Sequence, residues 1–325
     1  MAFLRIPSSF ASEKIRPARF AGSSYPASER AVERLCGSVI QKPHRTLFSE
    51  QPVRQGATAI IAPHIDFRVG VDVYGPAYYA LQDSSAEVFV IFATSHYAWG
   101  KQFIPTYQHF STPLGVVKTD HSLLNALYER LPNLPQDDAA HHEEHSIEFE
   151  TVFLQYLFGR RERAREFTIL PILVTSFYPH IQQHRSPHEH REFQRFCEVL
   201  GEVLELSQKR VAFIASADMA HIGRKFDDPY DAEPMLPAMR EEDTHLLRAL
   251  EESDAESYYR RIAAVDDAYK ICGLPPVYSM LKTAPKHCTR GQSLAYAQWN
   301  ERETRSAVTY SSLAYYGADT EQTEA

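Results

Sequence analysis

No apolar stretch of the sequence approaches the roughly 18 residues that a membrane-spanning helix needs; Val88 to Ala93 is typical of the longest runs. The N-terminal M-A-F-L-R-I-P-S-S-F has no continuous apolar core, so no secretory signal is expected. Cysteine is scarce. The four residues, at 36, 197, 272 and 288, form no C-x-x-C pair and no dense framework, which fits a reducing compartment. Positive charge is short as well: Lys+Arg 34 against Asp+Glu 42 leaves −8, which argues against a general nucleic-acid or anionic-membrane surface. G-x-G-x-x-G, G-x-x-x-x-G-K-[ST] and G-x-S-x-G are all absent. Dinucleotide cofactors, P-loop chemistry and the standard α/β-hydrolase route therefore lack motif support. A cytoplasmic protein without nucleic-acid or membrane partners is the expectation.

What is present is an ordinary globular composition, 325 residues with 44% hydrophobic and 23% charged, enough to bury a large core. Histidine stands out at 15 residues. Four of these lie between His180 and His190, among Gln, Arg, Pro and Glu, and that stretch reads as a solvated loop.

Apolar, β-branched runs at Ala57 to Ala62, Glu87 to Ala93, Phe167 to Val174 and Arg210 to Ser216 predict buried strands. Helical spacing appears at Glu29 to Ile40 (with Ser28 as N-cap), Tyr74 to Leu81, Ser122 to Leu131, Ser146 to Phe158 and Phe193 to Leu206. It continues at Ala238 to Leu250, Ala255 to Ile262 and Val277 to Lys282. Phe103 to Lys118 has hairpin or edge character, and Leu294 to Trp299 with Ala307 to Tyr315 predict two antiparallel closing strands. Alternation of strand and helix predicts a single α/β domain: a mostly parallel central sheet, helices on both faces, antiparallel strands at the C-terminus. Residues 1–16 read as a flexible leader, 17–317 as the domain and 318–325 as a polar tail.

Three predicted core strands run into polar groups at their carboxyl ends. Ala59 to Pro63 leads to His64, Val90 to Ser95 to His96, and Phe213 to Ala217 to Asp218, with His221 three residues on. Ligands of parallel α/β sheets bind at this edge, and Ala62, Ser95 and Ala217 leave room there. One such histidine would be an ordinary hydrogen-bonded residue; three strand ends together predict a site. His141 to Glu148, H-H-E-E-H-S-I-E, adds ligand-type groups, although its spacing misses H-E-x-x-H. His145 falls at the mouth of the helix from Ser146, which Ser146 or Glu144 could cap, while Glu143 and Glu144 also suit a helix dipole. Cys272 precedes a helical run with Lys270 nearby, a setting that favours thiolate. Cys36 and Cys197 lie on apolar helical stripes, and Cys288 lies in a polar loop.

These residues carry a resemblance. R-P-A-R-F-A-G-S-S-Y-P (Arg16 to Pro26), A-P-H (Ala62 to His64), T-S-H (Thr94 to His96), Pro113-Leu114-Gly115, E-H-S-I-E (Glu144 to Glu148), S-A-D-M-A-H-I-G (Ser216 to Gly223), I-C-G (Ile271 to Gly273) and Tyr296-Ala297-Gln298 occur in family order. The chain resembles the Memo family, known in bacteria and archaea as AmmeMemoRadiSam system protein B and similar in fold to class III extradiol dioxygenases. The resemblance implies His64, His96 and Cys272 as ligands of iron or copper, with zinc able to take the same donors. It implies His145, Asp218 and His221 as residues lining that pocket, His221 acting as general acid/base. Two functions follow as expectations: a metal-dependent, dioxygenase-like oxidoreductase, or a non-enzymatic protein that binds a peptide or small ligand in the same cleft. Other AmmeMemoRadiSam components are the expected protein partners. Ile65-Asp66-Phe67 after A-P-H departs from the family pattern and predicts an extra carboxylate beside the pocket; Leu274-Pro275-Pro276 after I-C-G departs as well.

Overall fold

The computed structural model describes residues 14–159, 165–284 and 286–317. In chain order the elements are β1 (Ile15–Arg16), α1 (Glu29–Ile40), β2 (Ala59–Ala62), α2 (Phe67–Leu81), β3 (Val88–Thr94), β4 (Phe103–Pro105), β5 (His109–Thr112) and β6 (Gly115–Thr119). Then come α3 (His121–Arg130), α4 (Asp138–His142), α5 (Ser146–Phe158), β7 (Thr168–Val174), α6 (Tyr178–Gln182), α7 (Arg191–Ser207), β8 (Val211–Ser216) and β9 (Asp218–Gly223). The chain closes with α8 (Leu236–Glu251), α9 (Ala255–Ala263), α10 (Leu274–Thr283), β10 (Arg290–Glu301) and β11 (Ser306–Tyr316).

One sheet runs in the order β1-β5-β6-β7-β3-β8-β2-β11-β10, with β4 beside β7 and β9 beside β11. Strands β6, β7, β3, β8 and β2 are mutually parallel, and β11 lies antiparallel to β2, β9 and β10. Fully buried β3 shows why its sequence reads as one apolar run. Phe89, Ile91 and Ala93 face the core that holds α1, α2 and α5, while Val88, Val90 and Phe92 face the core that holds α3, α7 and α10. The α/β prediction holds.

Local differences have identifiable causes. α2 starts at Phe67, not Tyr74, because Gly70, Gly75 and Pro76 inside it hide the helical pattern. Gly75 is required there: a Cβ would lie 2.4 Å from the Val39 carbonyl oxygen where α1 crosses α2. α10 starts at Leu274, since Pro275 and Pro276 occupy the first turn, where no N–H is needed. Strand β9 follows β8 almost without a break and had no turn signal. Ser28 is the N-cap of α1 by backbone position, without a side-chain bond. The predicted leader boundary falls inside the fold: Ile15 and Arg16 pair with His109 and Phe110, and Arg16 is wholly buried. The earlier part of that leader and the 318–325 tail lie outside the described residues. The 180–190 segment is not a bare loop, since it holds the end of α6 and a 3-10 turn at Pro187–Glu189.

Candidate metal centre

Strand register builds the site. Ala62 and Ala93 both pair with Ser216, so β2, β3 and β8 end level. His64, His96 and Asp218 therefore leave the same edge together. The Ala217 N–H donates to the Ala62 carbonyl at 2.8 Å, and the His64 N–H donates to Asp218 Oδ1 at 3.0 Å. These bonds lock the two strand ends to each other. α5 brings His145 in from the side as its N-cap residue. Gly273 brings Cys272 in: its N–H donates to the Asp218 carbonyl at 3.0 Å, and a Cβ there would lie 2.4 Å from that oxygen.

His64, His96 and His145 each offer a donor atom within 4.8 Å of the others. The His96 and His145 rings stack at 4.9 Å, and His64 stands edge-on to both. Cys272 Sγ lies 3.3 Å from His64 Nε2, beside the trio. The mutually close set thus has His145 as its third member, where the family resemblance implies Cys272.

Glu144 organises the trio. Its carboxylate takes the His96 N–H at 2.7 Å, His96 Nδ1 at 3.0 Å and His145 Nδ1 at 3.2 Å. It also accepts from the backbone N–H groups of His145 and Ser146, so it caps α5 as well. A carboxylate accepts only, so both rings carry hydrogen on Nδ1 and turn the Nε2 lone pair outward. Burial opposes ionisation of Glu144, yet its bonds to His145 and His96 hold it well below the usual carboxylate range. Burial likewise opposes charge on His96, but Glu144 outweighs it and the pKa is raised. His64 is driven well below the ordinary imidazole value by burial and by its two histidine neighbours. It stays neutral, as a ligand must.

Asp218 is buried, and that burial raises its pKa to about 7; its Oδ2 is 3.7 Å from His64 Nε2. On β9, His221 Nδ1 sits 3.1 Å from the carbonyls of Met219 and Lys270, so Nδ1 bears the hydrogen and Nε2 the lone pair. Burial, then the charge of His96, lowers the His221 pKa to about 4. A cavity of about 180 Å³ opens beside His96 and Cys272, walled by Phe177, Tyr178, Leu274 and Pro275. His64, His145, Asp218 and His221 do not line it.

Some expected features are elsewhere. Asp66 is not a pocket carboxylate: it caps α2 and pairs with Arg68 at 2.6 Å. Lys270 Nζ bonds Asp228 at 2.6 Å, so it does not serve the thiol. Burial pushes the Cys272 pKa well up, and the predicted thiolate is not favoured. Cys288 is buried, not in an accessible polar loop. Ser216, given no role of its own by the sequence reading, donates from Oγ to the Ser146 carbonyl at 2.7 Å and lies 3.3 Å from His64 Nδ1. The signal for Glu144 is its place immediately before His145; that for Ser216 is its place at the head of S-A-D-M-A-H-I-G, which does not say what the hydroxyl bonds.

The fold and site define an α/β domain with a histidine-rich pocket at the carboxyl edge of its parallel strands. Residues 16–314 match the model of the Memo-like protein family. A MEMO1 family protein of Pyrococcus abyssi is 30% identical over 316 residues, covering 92% of this chain and 98% of its own. Another from Aquifex aeolicus is 28% identical over 298 residues, covering 91% and 71%. The chain belongs to the Memo family.

Proposed function

We propose that the protein is a metal-dependent oxidoreductase of dioxygenase-like type, with iron or copper as the metal and a small molecule or peptide as substrate. The observation that carries this reading is the convergence of His64, His96 and His145, with the Cys272 thiol beside His64. Imidazole and thiol donors suit copper or iron; zinc accepts the same set and would favour hydrolysis. The residues fit a resident metal, since Glu144 already turns the Nε2 lone pairs of His96 and His145 outward. An ion held there would supply electron transfer and polarisation of a substrate oxygen. Buried His221, neutral with its lone pair on Nε2, would serve as general base for a substrate group that reaches past His96 beyond the cavity, and Asp218, with a pKa near 7 beside His64, would be a second proton-holding group there. The apolar cavity walls would exclude water and hold the substrate against His96.

Tyr97, Trp99 and Tyr178 are well exposed, Trp99 at 80%. They support a second reading, a ligand- or peptide-binding protein using the same cleft, with other AmmeMemoRadiSam components among the partners. No helix among the described residues is long and apolar enough to cross a membrane, and a cytoplasmic site of action belongs to the proposal. Metal analysis of protein purified without chelator or affinity tag separates the readings. A stoichiometric load of iron or copper, with oxygen uptake in a substrate screen, supports the oxidoreductase. A metal-free pocket that still binds peptide supports the second reading. His221→Ala should stop turnover and keep the metal; a metal-free His221→Ala protein would make His221 a ligand.

A further inference from the structure

We infer that His180 and His190 form a second cation site, separate from the trio, for a first-row divalent transition ion completed by solvent. Gln102 supplies the first step. Its Nε2 donates to the Thr175 carbonyl at 3.1 Å, which turns its Oε1 to His180 Nε2 at 2.9 Å. An amide oxygen only accepts, so His180 carries its hydrogen on Nε2 and Nδ1 is a bare lone pair. A ligating histidine is oriented in this way, through the nitrogen that does not bind the metal.

His180 Nδ1 is buried and has no hydrogen-bond partner among the described residues. The same holds for His190 Nε2. The two ring centroids lie 4.3 Å apart at 69°, so the two imidazoles adjoin each other. A buried nitrogen without a partner loses its bond to water and gains none in return, and one cation would satisfy both. Protonation is a poor alternative for His180, because burial and then His190 lower its pKa to about 4. Imidazole pairs suit Cu²⁺, Ni²⁺ and Zn²⁺, with Cu²⁺ the tightest.

The position gives the ion a consequence. His180 sits on α6, whose Tyr178 and preceding Phe177 wall the cavity beside His96; His190 is the N-cap residue of α7. A bound ion ties the cavity wall to the start of α7.

Calorimetric titration of Ni²⁺ into the full chain carrying His64→Ala and His145→Ala tests this independently of the trio. One class of site should remain, disappear on adding His190→Ala, and weaken ~10–100-fold on adding Gln102→Ala. No binding in the double variant overturns the inference. So does binding that survives both His180→Ala and His190→Ala. Should the double variant unfold, Cu²⁺ paramagnetic resonance on the unsubstituted protein replaces it. A second copper signal with coupling to two nitrogens, lost in His190→Ala, is expected, and its absence overturns the site.

Discussion

The Arg16 guanidinium meets the Glu148 carboxylate at 2.5 Å with neither side chain exposed. Arg16 also donates to the carbonyls of His141 and Glu144, while Glu148 accepts from Tyr25 and from the N–H groups of Arg19 and Phe20. One ion pair thus fastens the N-terminal segment Arg16 to Tyr25 to the turn that carries Glu144 and His145.

Arg16→Met should therefore act in two places. Breaking a buried pair leaves the other charge uncompensated, at a cost of about 3–5 kcal/mol. Chemical denaturation should show that loss. Metal affinity should fall as well, because the Glu144 carbonyl loses its anchor and His145 its placement. A variant of unchanged stability would mean that the pair is replaceable by packing.

Glu144→Gln isolates orientation from ligation. An amide keeps one accepting oxygen for the two ring N–H groups, but it sets an NH2 donor against the His96 backbone N–H and carries no charge to hold the imidazoles. Metal affinity should drop ~10–100-fold, the usual cost of losing an outer partner. In the metal-free protein the His96 pKa should also fall, because burial alone opposes its charge once Glu144 is neutralised. Histidine NMR titration reads that shift; an unmoved His96 would remove Glu144 from its assigned role.

How far the sequence carried this site depends on what kind of information each part needs. His64, His96 and Asp218 were legible because a buried parallel strand announces itself as an apolar run, and its end marks where ligands gather. His145 was legible only as the mouth of a helix; that it stacks on His96 depends on α5 docking beside β3. Ser216, Glu144 and Arg16 act through partners 70, 48 and 132 residues away, and no local period encodes such distances. Cys288 misled for the same reason: a polar neighbourhood in sequence does not report that the chain folds over it.

Glu150 predicts an unusual pH dependence of stability. It is fully buried on α5 against the Tyr78 hydroxyl, and burial raises its pKa from 4.5 to about 8. The folded state keeps this proton between those values while the unfolded state has lost it. Stability therefore falls as pH rises through that window, by on the order of 5 kcal/mol in the limit. Asp218, its pKa raised to about 7 by burial, acts in the same direction and is half titrated at pH 7. Glu150→Gln keeps an acceptor for Tyr78 and removes the titration. Its denaturation midpoint should change less between pH 7 and 8 than that of the parent protein; equal slopes would show that Glu150 titrates normally.

Cysteine labelling tests the pocket itself. Cys36, Cys197 and Cys288 are buried in the two cores, whereas Cys272 is partly accessible and lines the cavity. Native protein should therefore be alkylated at Cys272 alone, the other three reacting only on unfolding. The reaction should be slow at neutral pH, since burial and the Asp218 charge raise the thiol pKa and thiolate is the reactive form. Lys270 will not accelerate it, being held by Asp228. Loading metal should protect Cys272 further if its sulfur joins His64 as a donor, and each proton so displaced makes binding stronger as pH rises. Mass spectrometry of metal-free and metal-loaded protein at several pH values counts the modified residues. Labelling of Cys272 at the same rate in both forms would leave the three imidazoles as the whole donor set; early labelling of Cys288 would show that the cover over it opens in the native state.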